Sequence, residues 1–319
     1  MRALSVQIAT PAEAGSRAGN RVTAERWAGL LGELGHDVRI AVGWDRDPAD
    51  LLIALHAGRS HASVRAFRTA QPRAGVVVAL TGTDVYGALA TDPLMLESMH
   101  LADRLVVLQP LAAERVPDRY RDRVVTIHQS CSAPRGVARA PGFQVCVLAH
   151  LRAVKDPFLV AEAAYLLPAD SPVRIVHAGG ARDAKDAARA LQLADRVERY
   201  QWRGDIARKG ALHLLAESQL LVLTSRAEGG ANVVTEAIAC RTPVISTRID
   251  GSLGLLGQDY PGYVPVGDAE ALAAAMHRAA TDRAFYADLG ARISALGPLV
   301  DPATERDAWH GLLLGLETG

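Results

Sequence analysis

The stretch SRAEGGANVVTEAIACRTPVIST, Ser225–Thr247, decides how the rest of the chain is read. Ahead of it, Leu220-Leu221-Val222-Leu223 is a short apolar run ending in Thr-Ser, the signature of a buried strand. Within it, Asn232 is a candidate helix N-cap, and Val233, Ala237 and Cys240 recur at helical spacing before Pro243 opens another apolar run. The unit reads strand, loop, helix, strand. In open parallel sheets ligands settle beyond the carboxyl ends of the strands, where helix N-termini present unpaired amides and the positive end of a dipole. Gly229, Gly230 and Ala231 keep side-chain bulk away from that place, and the amides of Val233 and Val234 lie in the helix's first turn, so an anion could dock there. Glu228 and Glu236 flank the turn. A carboxylate only accepts hydrogen bonds and repels phosphate, so these two suit the neighbouring hydroxyls of sugars. The alternative is a solvated Glu228 and a Glu236 that decorates a helix.

Outward from this unit, strand-like runs alternate with helix-like ones. The first series is Leu4–Ala9, Asp37–Val42, Leu51–Leu55, Val76–Leu80, Leu105–Leu108 and Val124–Ile127; the second is Phe143–Ala149, Val173–His177, Arg199–Trp202, Leu220–Leu223 and Pro243–Ser246. Such alternation predicts parallel α/β sheets. Between the series, Ser130–Gly142 holds two prolines and two glycines and reads as a linker. The expected division is therefore 1–140, 141–300 and a terminal segment 301–319, in which Pro302–Leu316 carries Trp309, Leu312, Leu313 and Leu316 on one side of a helix. A chain of 319 residues suffices for two such domains.

Composition narrows the function classes. With 35 basic and 35 acidic residues there is no net field to recruit nucleic acid or an anionic membrane. No apolar run approaches the length of a membrane span, and the short apolar start is a first strand rather than a secretion signal, so a cytoplasmic protein is expected. Cys131, Cys146 and Cys240 show neither close pairing nor metal-ligand spacing and read as reduced thiols. No Asp-x-Asp cluster stands at a strand end, so neither a metal nor any other cofactor is expected.

Further candidates lie at other strand ends. The loop after the first strand, with Gly19, Asn20 and Arg21, opens onto a helix and could cradle an anion, or could be an ordinary connection. His56, Arg59 and Ser60 follow the third strand, and Thr81, Gly82, Thr83 and Asp84 the fourth; glycine, hydroxyls and an arginine suit a small tetrahedral oxyanion. His56 could equally be a structural histidine and Asp84 a loop-capping residue. Arg152 and Lys155 follow the first strand of the second series.

The segment Glu228–Glu236 resembles the paired-glutamate motif of glycosyltransferases of the GT-B architecture, closest to the large retaining family numbered four. Arg203-Gly204-Asp205, Pro243-Val244-Ile245 and Asp250-Gly251 stand in that family's order. The resemblance implies two Rossmann-like doubly wound domains facing across a cleft, with a terminal helix crossing back to the first. It further implies that Arg152, Lys155 and Glu228 are catalytic, the two cations neutralising the donor's diphosphate, and that Arg203, Gly204, Gly229, Gly230, Ala231, Asn232, Val233, Val234 and Glu236 bind the donor. Lys155 follows Arg152 more closely than in the commoner pattern.

The phrases HAGRSHAS, VVALTGTDVYGAL, VVLQPLAAERVP, TIHQS and LAHLRAVKDP also resemble the selenosugar synthases of selenoneine biosynthesis. That resemblance implies a UDP-sugar such as UDP-N-acetylglucosamine and selenophosphate as the small-molecule partners, with the first-series loops as acceptor site. The sequence leaves two other readings open: a conventional glycosyltransferase with an oxygen or sulfur acceptor, and a nucleotide-sugar-binding protein without catalysis.

Overall fold

The computed structural model describes residues 2–16 and 18–317. The chain divides into two compact units, one of residues 1–130 with 302–319 and one of residues 131–301. The division falls at the start of the Ser130–Gly142 segment, not at its end. Hydrogen bonds explain why: Cys131 N donates to Val300 O, Ala140 N to Glu217 O, and Arg139 Nη2 to Arg241 O, so the segment is tied to the second unit along its length.

The first unit holds six parallel strands: β1 (Ser5–Thr10), β2 (Asp37–Val42), β3 (Leu51–Leu55), β4 (Gly75–Leu80), β5 (Arg104–Val107) and β6 (Val124–Thr126), in the order β2-β1-β3-β4-β5-β6. Successive residues of a strand face opposite sides, and both sides of this sheet are covered. Leu51, Ile53 and Leu55 pack with Trp27 and Trp309, whereas Leu52 and Ala54 pack with Phe67 and Met99. This is why β3 reads as a continuous apolar run rather than an alternating one. The helix Pro302–Glu317 joins this unit through Trp309, whose ring centroid lies 4.7 Å from that of Trp27.

The second unit holds β7 (Phe143–Leu148), β8 (Val173–Ala178), β9 (Tyr200–Trp202), β10 (Leu220–Leu223), β11 (Val244–Thr247) and β12 (Tyr263–Val264), again all parallel, in the order β12-β11-β10-β7-β8-β9. Strand β12 was not expected from the sequence. Both units are Rossmann-like α/β domains. In each, the chain builds one side of the sheet first and then the other, so the order reverses at a switch point: between β1 and β3 in the first unit, and between β7 and β10 in the second. Loops leaving neighbouring strands diverge there and leave a crevice at the carboxyl edge.

Candidate functional site

In the second unit the loops after β7 and β10 meet at the switch point. Thr224 Oγ1 donates to Lys155 O at 2.8 Å, Arg226 N to Val154 O at 2.8 Å, and Arg226 Nη2 pairs with Asp156 Oδ2 at 2.7 Å. This lacing brings Lys155, at the end of a short 3-10 turn, onto Glu228: Lys155 Nζ donates to Glu228 Oε1, and Ser225 Oγ donates to the same oxygen at 2.6 Å. The two residues lie 73 positions apart, and the sequence reading placed them in one site without pairing them. Behind the loop, Thr247 Oγ1 donates to Ser225 O at 2.5 Å. Gly251 backs it as well, since a Cβ there would stand 2.3 Å from Glu228 O. Glu228 is thus fixed from both sides.

The helix Asn232–Ala239 begins beside this pair. Asn232 is its first residue and not its cap; the cap is Ala231, in extended backbone with no side chain to offer. Ala231 O accepts the amides of Val234, at 2.8 Å, and Thr235, at 3.2 Å. Of the two amides expected to face an anion, that of Val234 is therefore already used. The amides of Asn232 and Val233 have no backbone acceptor among the described residues. Glu236 sits one turn in, buried, and its Oε1 accepts from Arg208 Nη1 at 2.7 Å.

Arg208 went unnoticed in the sequence. It opens the helix Arg208–Glu217, followed by Lys209, and two cations in a first turn oppose the helix dipole. That misfit was the available signal. The exposed Arg152 side chain has no hydrogen bond or ion pair among the described residues. Arg203 is also exposed, and its Nε donates to Gln201 Oε1 at 3.2 Å, while Gly204, at a φ of +67°, accepts from Gly179 N.

Nearby, His177 Nε2 donates to Ala149 O at 2.8 Å and its Nδ1 accepts from Tyr200 Oη at 2.8 Å, lacing β7, β8 and β9 together. Burial lowers the His177 pKa to about 4. Burial also raises the Cys240 thiol to about 11, with the charge of Glu236 adding to the rise, so Cys240 remains a neutral thiol at pH 7.

In the first unit the expected acceptor residues follow β1, β3 and β4, which are neighbours in the sheet. Thr81 Oγ1 donates to Asn20 Oδ1 at 2.8 Å, so these two meet. Gly19 is the first residue of the helix Gly19–Glu33. Arg21 is occupied by an ion pair to Glu25, 2.7 Å, and Ser60 Oγ donates to Leu55 O at 2.6 Å. Asp84 is buried and accepts from Ala57 N at 3.0 Å and Gly82 N at 2.8 Å, tying the β3 and β4 loops together. It holds two amides that could otherwise have faced an anion. The Thr83 side chain lies outside the described residues. His56 has a φ of +75°, and its Nδ1 accepts from Arg59 N at 3.3 Å, which puts the ring proton on Nε2. Burial lowers its pKa, with the neighbouring Asp84 opposing and Arg59 reinforcing the shift, so it is neutral at pH 7. The Arg59 side chain is exposed.

No helix among the described residues is long and apolar enough to cross a membrane, and no group of three or more His, Cys, Asp or Glu among them could hold a metal ion.

Comparison with known proteins places this geometry. HepE of Anabaena, in complex with UDP and glucose, superposes with a TM-score of 0.77 at 15% identity, covering 98% of this chain and 100% of the other. Sucrose-phosphate synthase of Thermosynechococcus elongatus gives 0.78 at 16% identity, with 98% of each chain covered. A glycosyltransferase of Rickettsia africae gives 0.73 at 14% identity, covering 98% of this chain and 97% of the other. At such identities the likeness is one of fold, the two-domain GT-B fold. No curated protein sequence matches. The family profile described as Glycosyl transferases group 1 matches residues 135–294, half of the chain and the whole of the paired-glutamate unit, and the chain belongs to that family.

Proposed function

We propose that this glycosyltransferase uses a UDP-sugar, UDP-N-acetylglucosamine in the first instance, and transfers its sugar to selenophosphate. The observation that carries the donor half is the Lys155–Glu228 pair at the switch point between β7 and β10, beside the first turn of the helix Asn232–Ala239. A structural neighbour of the same fold holds UDP and glucose, which supports carrying UDP to this site. Lys155 and the unpaired Arg152 stabilise the diphosphate as it leaves, Glu228 accepts from hexose hydroxyls and Glu236 from the ribose.

The acceptor half rests on the likeness of the first-unit phrases to selenosugar synthases and on chemistry. Selenium of ionised selenophosphate attacks the anomeric carbon; the bond from that carbon to the UDP oxygen breaks, and UDP departs with the electron pair. Water then cleaves the phosphorus–selenium bond, releasing phosphate and the selenosugar. An ionised nucleophile needs no general base, and His56, neutral and fixed by Arg59 N, offers a donor hydrogen rather than a base. Arg59 supplies the fixed charge for the phosphate.

Incubation with UDP-N-acetylglucosamine and selenophosphate, read by mass spectrometry, is expected to give a selenium-bearing sugar together with UDP. UDP release only with an alcohol or thiol acceptor would overturn the acceptor assignment, and absence of UDP binding the donor assignment. Arg152→Ala is expected to slow turnover by roughly two to three orders of magnitude, as for loss of a preorganised charge partner. Activity is expected to persist in excess chelator.

A further inference from the structure

We infer that the Asp156–Arg226 ion pair is a positioning clasp for Lys155: it keeps the loops after β7 and β10 together when a bound donor draws Lys155 and Glu228 apart. The inference rests on the proposed placing of the diphosphate at Lys155.

Three observations carry it. The first is how the charges pair. Lys155 and Asp156 are neighbours in one loop, Arg226 and Glu228 stand two positions apart in the other, and the partners meet with opposite sign: Lys155 bonds Glu228, and Asp156 bonds Arg226 at 2.7 Å. Lys155 Nζ and Ser225 Oγ donate to the same Glu228 oxygen. A diphosphate at Lys155 and hexose hydroxyls at Glu228 compete directly with the first ion pair, whereas the second uses neither group. The second is left to span the loops.

The second observation is the backbone at Asp156. Its φ of +44° and ψ of +52° are left-handed, at the end of the 3-10 turn Ala153–Lys155. Pro157 follows, and a proline pushes the residue before it toward extended backbone. A non-glycine residue holds such a conformation only where its surroundings over-determine it, which is common at functional sites. Here Arg226 Nη2 grips the carboxylate and Asp156 N donates to Ala153 O at 3.1 Å. That turn sets the point from which the Lys155 side chain leaves. The third observation is exposure: the Arg226 side chain is 58% exposed and that of Asp156 19%. An ion pair so open to water adds little stability, so what it fixes is geometry. Arg226 N also donates to Val154 O at 2.8 Å and Thr224 Oγ1 to Lys155 O at 2.8 Å, lacing the two carbonyls ahead of Asp156 to the same loop.

A clasp that merely held the fold would act without regard to Lys155, and the test separates the two. Asp156→Gly keeps left-handed backbone accessible while removing the carboxylate, and Arg226→Ala removes the same bond from the other loop. Binding of UDP and of uridine, which lacks the diphosphate, is measured by calorimetry on the full chain. Either variant is expected to weaken UDP by about tenfold, as for a displaced bond to a charged group, and to leave uridine unchanged. The two changes together should weaken UDP no more than one alone, as for residues acting through one contact. In a Lys155→Ala background, itself weakened toward UDP, neither change should have a further effect. With the UDP-sugar, kcat/KM should fall by about the same tenfold, and Arg226→Lys should restore part of it. If Asp156→Gly folds poorly, Arg226→Ala alone carries the test. Native UDP affinity in Arg226→Ala, equal weakening of UDP and uridine, or the same factor with and without Lys155 overturns the inference alone. Native UDP affinity in Lys155→Ala overturns the diphosphate reading of Lys155, and the inference with it.

Discussion

His177 takes a titratable ring into a dry place, with Ala149 O accepting its Nε2 proton and Tyr200 donating to Nδ1. Its folded pKa, lowered by burial to about 4, lies below the ordinary value of about 6.5. The unfolded chain therefore binds a proton before the folded one does. The stability this group supports is complete above pH 6.5 and is lost as pH falls toward 4, at about 1.4 kcal/mol per pH unit and about 3 kcal/mol in all. Urea midpoints measured from pH 7 to pH 4 should fall in this window, and the His177→Gln variant should show a flatter profile; parallel profiles would refute the assignment. Lys155 and Glu228 show what a residue-level reading of sequence can and cannot do. Position beside a small-residue turn at a strand end marked Glu228 as a candidate, and the resemblance to the glycosyltransferase family added Lys155, which follows the first strand of the second series. Their mutual pairing was invisible, since 73 residues separate them.

At the scale of elements, period and punctuation located nearly every strand. Asp37–Val42, Leu51–Leu55 and Leu220–Leu223 have the bounds read from their letters, because each is an apolar or alternating run with polar residues at both ends. Tyr263–Val264 was missed. Two residues carry no period, and they form a strand only because Ser246 and Thr247 of β11 stand opposite them. The Ala231 cap escaped for a similar reason: Asn232 has the better capping side chain, but backbone conformation decided. The helix Asp250–Leu256 backs the Glu228 loop through Gly251. Gly251→Ala would place a methyl group 2.3 Å from Glu228 O and 2.8 Å from its Cβ, so one element must move. The expected result is a loss of about 1–3 kcal/mol of stability with a drop in kcat/KM beyond what the unfolded fraction explains. Native kcat/KM in this variant would show that the backing is dispensable.

At the scale of the whole molecule, the first unit is built from both ends of the chain. Glu305, on the terminal helix and 1% exposed, is the fastening. It accepts from Arg26 Nε at 2.9 Å, Trp27 Nε1 at 2.7 Å, and Ser130 N and Oγ at 2.7 and 2.5 Å. Removing one partner from a buried ion pair leaves the other charge stranded and costs about 3–5 kcal/mol. Glu305→Ala should therefore lower the unfolding free energy of the first unit by that amount, read as an earlier denaturant midpoint in tryptophan fluorescence. An unchanged midpoint would mean that apolar packing of the helix suffices. Two units also make a single unfolding free energy inappropriate, so the transitions should be resolved separately.

By itself the sequence determined the α/β class, two parallel sheets and the place of the paired glutamates on the unit that follows a strand end. All of these follow from local order: side-chain period, turn residues and the succession of strand, loop and helix. Tertiary structure alone decided that Lys155 meets Glu228, that Arg208 meets Glu236, that Asp84 takes two amides for the fold, and that Glu305 closes the first unit on Ser130. The physical reason is that each of these bonds joins loops or helices brought together by strand order. That order is set by how both faces of a parallel sheet are buried at once, a property no window of neighbouring residues contains.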